Sequence, residues 1–201
     1  MTDTMRRGWI VLLLCLCAPR LPAEGLEQAL QLVESVQMAR LARLQQRLPL
    51  PVRPFASDGC SGGMSAGWSV FARGLPGARE RIGEKPPWEP CCVAHDRAYW
   101  QGRGEDGYRR RLAADRALRR CVLDTARQQG DEWAARLGLS ADELQRLMQQ
   151  VAEAMYLAVR LGGGPCTGLL WRWGHGWPPC GEVDDDQRMT DGRMPSPEEQ
   201  T

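Results

Sequence analysis

The 201-residue chain carries 26 basic and 25 acidic side chains, for a formal charge of +1. A balance this even supplies no long-range field for a nucleic-acid partner, and an apolar content of 43% argues against a disordered polymer. The length suits a single domain able to bury a real core, and no internal repeat is evident.

The first stretch reads as a leader. Arg6 and Arg7 precede a short apolar run from Trp9 to Cys17, followed by Ala18-Pro19-Arg20-Leu21-Pro22-Ala23. This is the layout of a secretory signal peptide with cleavage after Ala23. The run is too short to span a bilayer, and the expected destination is secreted or periplasmic. Cys15 and Cys17 leave a lipid-anchored form open. Loss of residues 1–23 reduces eight cysteines to six, Cys60, Cys91, Cys92, Cys121, Cys166 and Cys180. An even number in an exported chain points to three disulfides, with 15 connectivities open. A zinc site from Cys91, Cys92 and His95 is the rival use, although adjacent cysteines do not fit usual ligand spacing.

A helix is expected over 26–48, where Leu26, Leu30, Val33, Leu41, Leu44 and Leu48 recur at helical steps and Pro49, Pro51 and Pro54 end it. Ser57-Asp58-Gly59-Cys60-Ser61-Gly62-Gly63-Met64 follows, a glycine-rich loop whose backbone is free to turn carbonyls inward. Such carbonyls suit a hard cation, though most loops of this kind are only turns. Residues 66–90 read as an irregular connection with a short helical piece at 68–71.

Pro90-Cys91-Cys92-Val93-Ala94-His95-Asp96-Arg97-Ala98-Tyr99 is the most informative run. In a helix Cys91, His95 and Tyr99 share one face, and Cys92 and Asp96 share the neighbouring stripe. A second long helix is expected over 107–129. Its stripe of Tyr108, Leu112, Asp115, Leu118, Val122 and Ala126 contains one acid among apolar neighbours, while Arg109, Arg110, Arg119 and Arg120 form a solvated face. A buried acid needs a partner. His95 on an antiparallel neighbour would serve, and an ion pair with Arg111 or Arg119 is the plainer alternative. Residues 131–161 supply further helix, with Ser140 and Glu143 as a capping box, an apolar face of Leu144, Leu147, Met148, Val151, Met155 and Ala158, and Gly162-Gly163-Gly164-Pro165 as the stop. Cys166 and Cys180 enclose Trp171, Trp173 and Trp177, which either cover the core or meet a membrane. His175, in the same loop, takes no role. Residues 182–201 are acidic and polar, a disordered tail.

Three pieces together resemble secreted phospholipase A2: the loop at Gly59-Cys60-Ser61-Gly62-Gly63, the Cys91-Cys92-Val93-Ala94-His95-Asp96 helix, and Asp115-Arg116-Ala117 leading to Cys121. The match spans about a third of the chain, residues 57–125. The resemblance implies a mainly α fold of disulfide-linked antiparallel helices with a calcium-binding loop, over residues 24–181. It implies His95 as general base, Asp115 as its orienting carboxylate and Tyr99 as a hydrogen-bond support. It implies calcium held by Asp96 and the carbonyls of Gly59, Ser61 and Gly63. The family's bridges would join Cys60 to Cys92 and Cys91 to Cys121, leaving Cys166 for Cys180. Ala98 and Ala114 stand where compact members place a further cystine, an absence worth a few kcal/mol at most. The stretch from Cys60 to Cys91 is also longer here.

The implied activity is calcium-dependent hydrolysis of the sn-2 acyl ester of phospholipids by a water that His95 and Asp115 activate, on a membrane surface or lipid aggregate, with no nucleic-acid or stable protein partner. No Gly-x-Ser-x-Gly elbow is present. A non-catalytic membrane- or protein-binding module on the same scaffold, or a purely structural disulfide-stapled protein, are the alternatives. The combination of His95, Asp96 and Asp115 favours the enzyme, since a binder needs none of them.

Overall fold

The protein is described by a computed structural model over residues 23–48, 53–60, 80, 83, 85–103 and 106–180. Four helices occur among the described residues, α1 (Ala23–Arg47), α2 (Glu89–Gln101), α3 (Gly107–Leu137) and α4 (Ala141–Gly162), and no strand. The expected mainly α class is therefore the observed one. The leader, the helical piece at 68–71 and the acidic tail lie outside the described residues.

The chain divides into units 1–33 and 34–201. In the first, the described residues are the opening turns of α1, where Leu32 and Val33 are exposed. Placing Val33 on the apolar face of this helix was incorrect. At about 100° per residue, Val33 lies about 80° around the helix from Leu41, whereas Glu34 lies only about 20° away. The buried stripe is accordingly Glu34, Met38, Leu41 and Leu44, all in the second unit.

The second unit holds two apolar clusters. One joins α3 and α4 through Leu118, Val122, Trp133, Leu144, Met148 and Met155, with Trp88 and three of the half-cystines beside them. The other gathers Met38, Leu41 and Leu44 around Tyr99, Trp173 and Trp177. Helix α3 does not stop at 129. It continues to Leu137, burying Trp133 and Ala134. An interior glycine such as Gly130 costs about 1 kcal/mol, which burial of one large aromatic ring at about 1.5–3 kcal/mol exceeds. Gly138 then ends the helix at φ 71°, its N–H reaching the carbonyls of Ala134 and Ala135. The expected stretch 131–161 is thus shared between two helices. The second opens on the predicted capping box, with Glu143 N donating to Ser140 Oγ at 3.3 Å and Ser140 N to Glu143 Oε2 at 2.8 Å.

A helix leaves its last carbonyls without partners, and the loop 166–180 supplies donors at the end of α2. Gly174 N reaches Tyr99 O at 2.7 Å, Gly176 N reaches Trp100 O at 3.1 Å and Trp177 Nε1 reaches Gln101 O at 3.4 Å. Trp173 Nε1 continues the pattern to Arg103 O at 3.4 Å. Three disulfides, Cys60–Cys92, Cys91–Cys121 and Cys166–Cys180, secure the unit. With Cys91 and Cys92 in cystines, the zinc alternative is excluded.

Candidate active site around His95

Cys91, His95 and Tyr99 form the buried face of α2, with fractional exposures of 3%, 7% and 1%. Cys91 is bonded to Cys121, His95 meets Asp115 and Tyr99 meets Arg111, so successive turns of α2 touch progressively earlier turns of α3. Arg111, Asp115, Leu118 and Val122 are the matching buried stripe.

His95 Nε2 lies 2.9 Å from Asp115 Oδ1, and Tyr99 donates its hydroxyl to the same oxygen at 2.5 Å. Burial pushes the Asp115 carboxyl up, but the His95 hydrogen bond, the nearby Arg111 charge and the Tyr99 hydroxyl together bring it below the usual carboxylate range. An ionised carboxylate can only accept, so Nε2 carries the proton and Nδ1 is left as the acceptor. Burial, and then the Asp115 charge, hold the Tyr99 phenol well above its ordinary value, so the hydroxyl stays a donor.

The other oxygen of Asp115 accepts from Arg160 NH1 at 3.0 Å. The suggested ion pair with Arg119 does not form, since that side chain meets Glu153 at 2.8 Å on the surface. Nor does Arg111 bond Asp115. It donates to Tyr99 Oη at 3.1 Å, to Glu34 and to the carbonyls of Val159 and Arg160 at 2.5 and 2.7 Å. Arg160 also reaches Glu34 Oε1 at 2.9 Å. Glu34 and Arg160 were missed by sequence reasoning, and Arg111 was considered only as a partner of Asp115. Glu34 and Arg111 stand on the buried stripe of their helices, which was the available signal, whereas Arg160 lies off the apolar stripe of α4 and carried none.

Asp96, on the neighbouring stripe, is half-buried and accepts from Ser57 Oγ at 2.5 Å. Burial raises its carboxyl above the ordinary value, against the lowering effects of the Ser57 hydroxyl and of His95. His175, left without a role by the sequence, holds the Asp96 carbonyl through Nε2 at 3.1 Å. Gly59 sits at φ 77° beside the Cys60–Cys92 bridge, and a side chain there would collide with Glu89 Oε1, 2.5 Å from the Cβ position. Ser61 and Gly63 lie outside the described residues.

A cavity of about 40 Å³ brings Gly59, His95 and Asp96 together with the apolar side chains of Leu118, Met155 and Trp171. That is room for water beside the imidazole. A second, outer hollow of about 250 Å³ shares Asp96 and Trp171 and adds Ser57, Asp58, Leu170 and His175. Of the three loop tryptophans, Trp173 and Trp177 are only 3% and 5% exposed, so they belong to the core. Trp171 is half-buried at the cavity, next to Leu169 and Leu170, which are 39% and 80% exposed. No helix among the described residues is long and apolar enough to cross a membrane.

No family model, curated protein or solved structure matches the chain.

Proposed function

We propose that the protein is a phospholipase A2-like, calcium-dependent hydrolase of phospholipid sn-2 esters. The observation that carries this reading is the buried His95–Asp115 pair, 2.9 Å apart, whose imidazole borders the same cavity as Gly59 and Asp96. The opposite running order of contacts along α2 and α3 supports the antiparallel arrangement that the resemblance implies. The three disulfides support an oxidising, extracytosolic setting, secreted or periplasmic.

In this reading Nδ1 of His95 takes a proton from water as the water oxygen bonds the ester carbonyl carbon. Asp115 steadies the imidazolium that forms. The carbonyl re-forms as the bond to the glycerol oxygen breaks, and His95 returns the proton to that oxygen, leaving a fatty acid and a lysophospholipid. Asp96 and Gly59, on one cavity, would supply a carboxylate and a backbone carbonyl of the kind a hard cation takes, and the resemblance adds the carbonyls of Ser61 and Gly63. Calcium, when bound there, would supply positive charge for the carbonyl oxygen.

The test is release of fatty acid from mixed phospholipid vesicles labelled at the sn-2 position. Activity should require calcium, vanish in excess chelator and vanish in His95→Gln. Equal release with and without chelator, or from His95→Gln, sinks the proposal.

A further inference from the structure

The hydrolytic reading uses one oxygen of Asp115 and leaves the other unexplained. Oδ1 accepts from His95 and Tyr99, while Oδ2 accepts from Arg160 NH1 at 3.0 Å. A carboxylate tied at one oxygen swings about its last torsion, which is soft for aspartate. Tied at both, its plane is set, and with it the direction in which the imidazole is held. The Arg160 fork is itself fixed from behind, because its NH2 reaches Glu34 Oε1 at 2.9 Å.

The four side chains come from three helices, Glu34 from α1, Asp115 and Arg111 from α3, and Arg160 from α4, with His95 and Tyr99 of α2 against them. Asp115 is 0%, Arg160 2% and Glu34 5% accessible. Two carboxylates and two guanidinium groups leave the buried group neutral. Stability alone is a poor reason for such a cluster, since apolar replacements of equal volume are often as stable. Orientation is a better one, because only the planar, two-pronged guanidinium can hold two carboxylates in fixed directions.

The geometry points to Arg160, backed by Glu34, as the positioning residue that sets the Asp115 plane and thereby the His95 imidazole. This rests on the hydrolytic reading of the site. Arg160 touches neither substrate nor the reacting water, so its effect is on turnover, with little effect on the binding of lipid.

Three variants of the full, oxidised chain test it: Arg160→Gln, Arg160→Lys, and the charge-compensated pair Glu34→Gln with Arg160→Gln. Each is assayed on a monomeric short-chain phospholipid with calcium, and the side-chain nitrogen NMR of His95 is recorded at one fixed pH. In Arg160→Gln and in the pair, kcat should fall about 10²-fold with KM within about twofold, the signature of misplacement rather than lost binding. The His95 spectrum should change from one tautomer to a mixture. Arg160→Lys, whose single ammonium can reach Oδ2 without fixing the plane, should fall in between. A folded paired variant with wild-type kcat and a wild-type His95 spectrum overturns the assignment. Should the glutamine variants not fold, wild-type values for Arg160→Lys overturn it equally. If the wild-type protein hydrolyses no ester, the hydrolytic reading has failed. The His95 spectrum then decides this inference alone, and an unchanged tautomer across the variants ends it.

Discussion

Two aspartates flank the same imidazole and have opposite environments. Asp115 is fully buried, yet His95, Tyr99 and the two arginines around it hold its carboxyl low. Asp96 is less buried, yet its carboxyl is pushed up, because one serine hydroxyl is a thin return for the water it has lost. Depth of burial therefore does not decide which carboxyl is raised and which is lowered; the number of donors does. A well-satisfied carboxylate is suited to orienting a base, and an under-satisfied one to taking a cation.

The sharpest way to break this contrast is to exchange each acid for its amide. Asp115→Asn presents an N–H donor or a weakened acceptor to Nε2, and kcat should drop about 10³–10⁴-fold, as for loss of the orienting acid in other triads. Calcium affinity, followed by calorimetry, should be unchanged. Asp96→Asn should do the reverse, removing calcium binding and with it the calcium-dependent part of hydrolysis, about 10³-fold, while the His95 tautomer stays as it is. If both amides behave alike in calorimetry, the two acids do not have separate duties.

The loop 166–180 touches both sides, holding the Asp96 carbonyl through His175 and packing Trp173 on Tyr99 with ring centroids 5.2 Å apart. Replacing Cys166 and Cys180 by alanine should cost about 3 kcal/mol in denaturant unfolding. Activity should fall by more than the unfolded fraction accounts for, and a fall no larger than that fraction would make the loop a staple only.

Acidification separates the acids in sign. The Asp115 carboxyl is lowered from 3.8 in the folded protein, so the stabilisation it brings is present above that pH and is lost as pH falls through the folded value. The melting-temperature gap between wild type and Asp115→Asn should be full at neutral pH and close below about pH 4. A gap that widens on acidification would mean the carboxyl is raised.

The smallest effect is expected at the rim. With Trp173 and Trp177 in the core, a lipid surface is left with Leu169, Leu170 and Trp171 beside the cavity. Leu170→Asp should weaken vesicle binding about 5- to 30-fold, given roughly 1–2 kcal/mol for one exposed leucine. Hydrolysis of a monomeric substrate should not change. Trp173→Ala should instead lower the melting temperature and reduce all activities together.

The sequence made His95 and Tyr99 legible because they recur at helical spacing with Cys91, and Asp115 because it is one acid on an apolar stripe. The Ser140–Glu143 cap was legible because it is a local exchange of two hydrogen bonds. Glu34 and Arg160 were not, because a charged residue in a helix reads as an interruption or a solvated position until three helices bring the opposite charges together. The extent of α3 was misjudged for a similar reason, since Trp133 has value only once Trp88 lies against it, ring centroids 6.5 Å apart. His175 depends on a contact 79 positions away in the chain, beyond any periodicity.

The donors that the loop 166–180 gives to the end of α2 bear on the order of synthesis. A ribosome delivers His95, then Asp115, then Arg160, and only afterwards Gly174 and Gly176. While residues up to α4 are already outside the exit tunnel, the carbonyls of Trp100 and Gln101 in the last turn of α2 still lack the donors that the loop brings, and only that of Tyr99 has the Gly102 N–H. The His95–Asp115 pair can therefore meet early, but its helix is sealed only by the segment that closes on Cys180, and the oxidation of Cys166 and Cys180 becomes the step that fixes that seal in place.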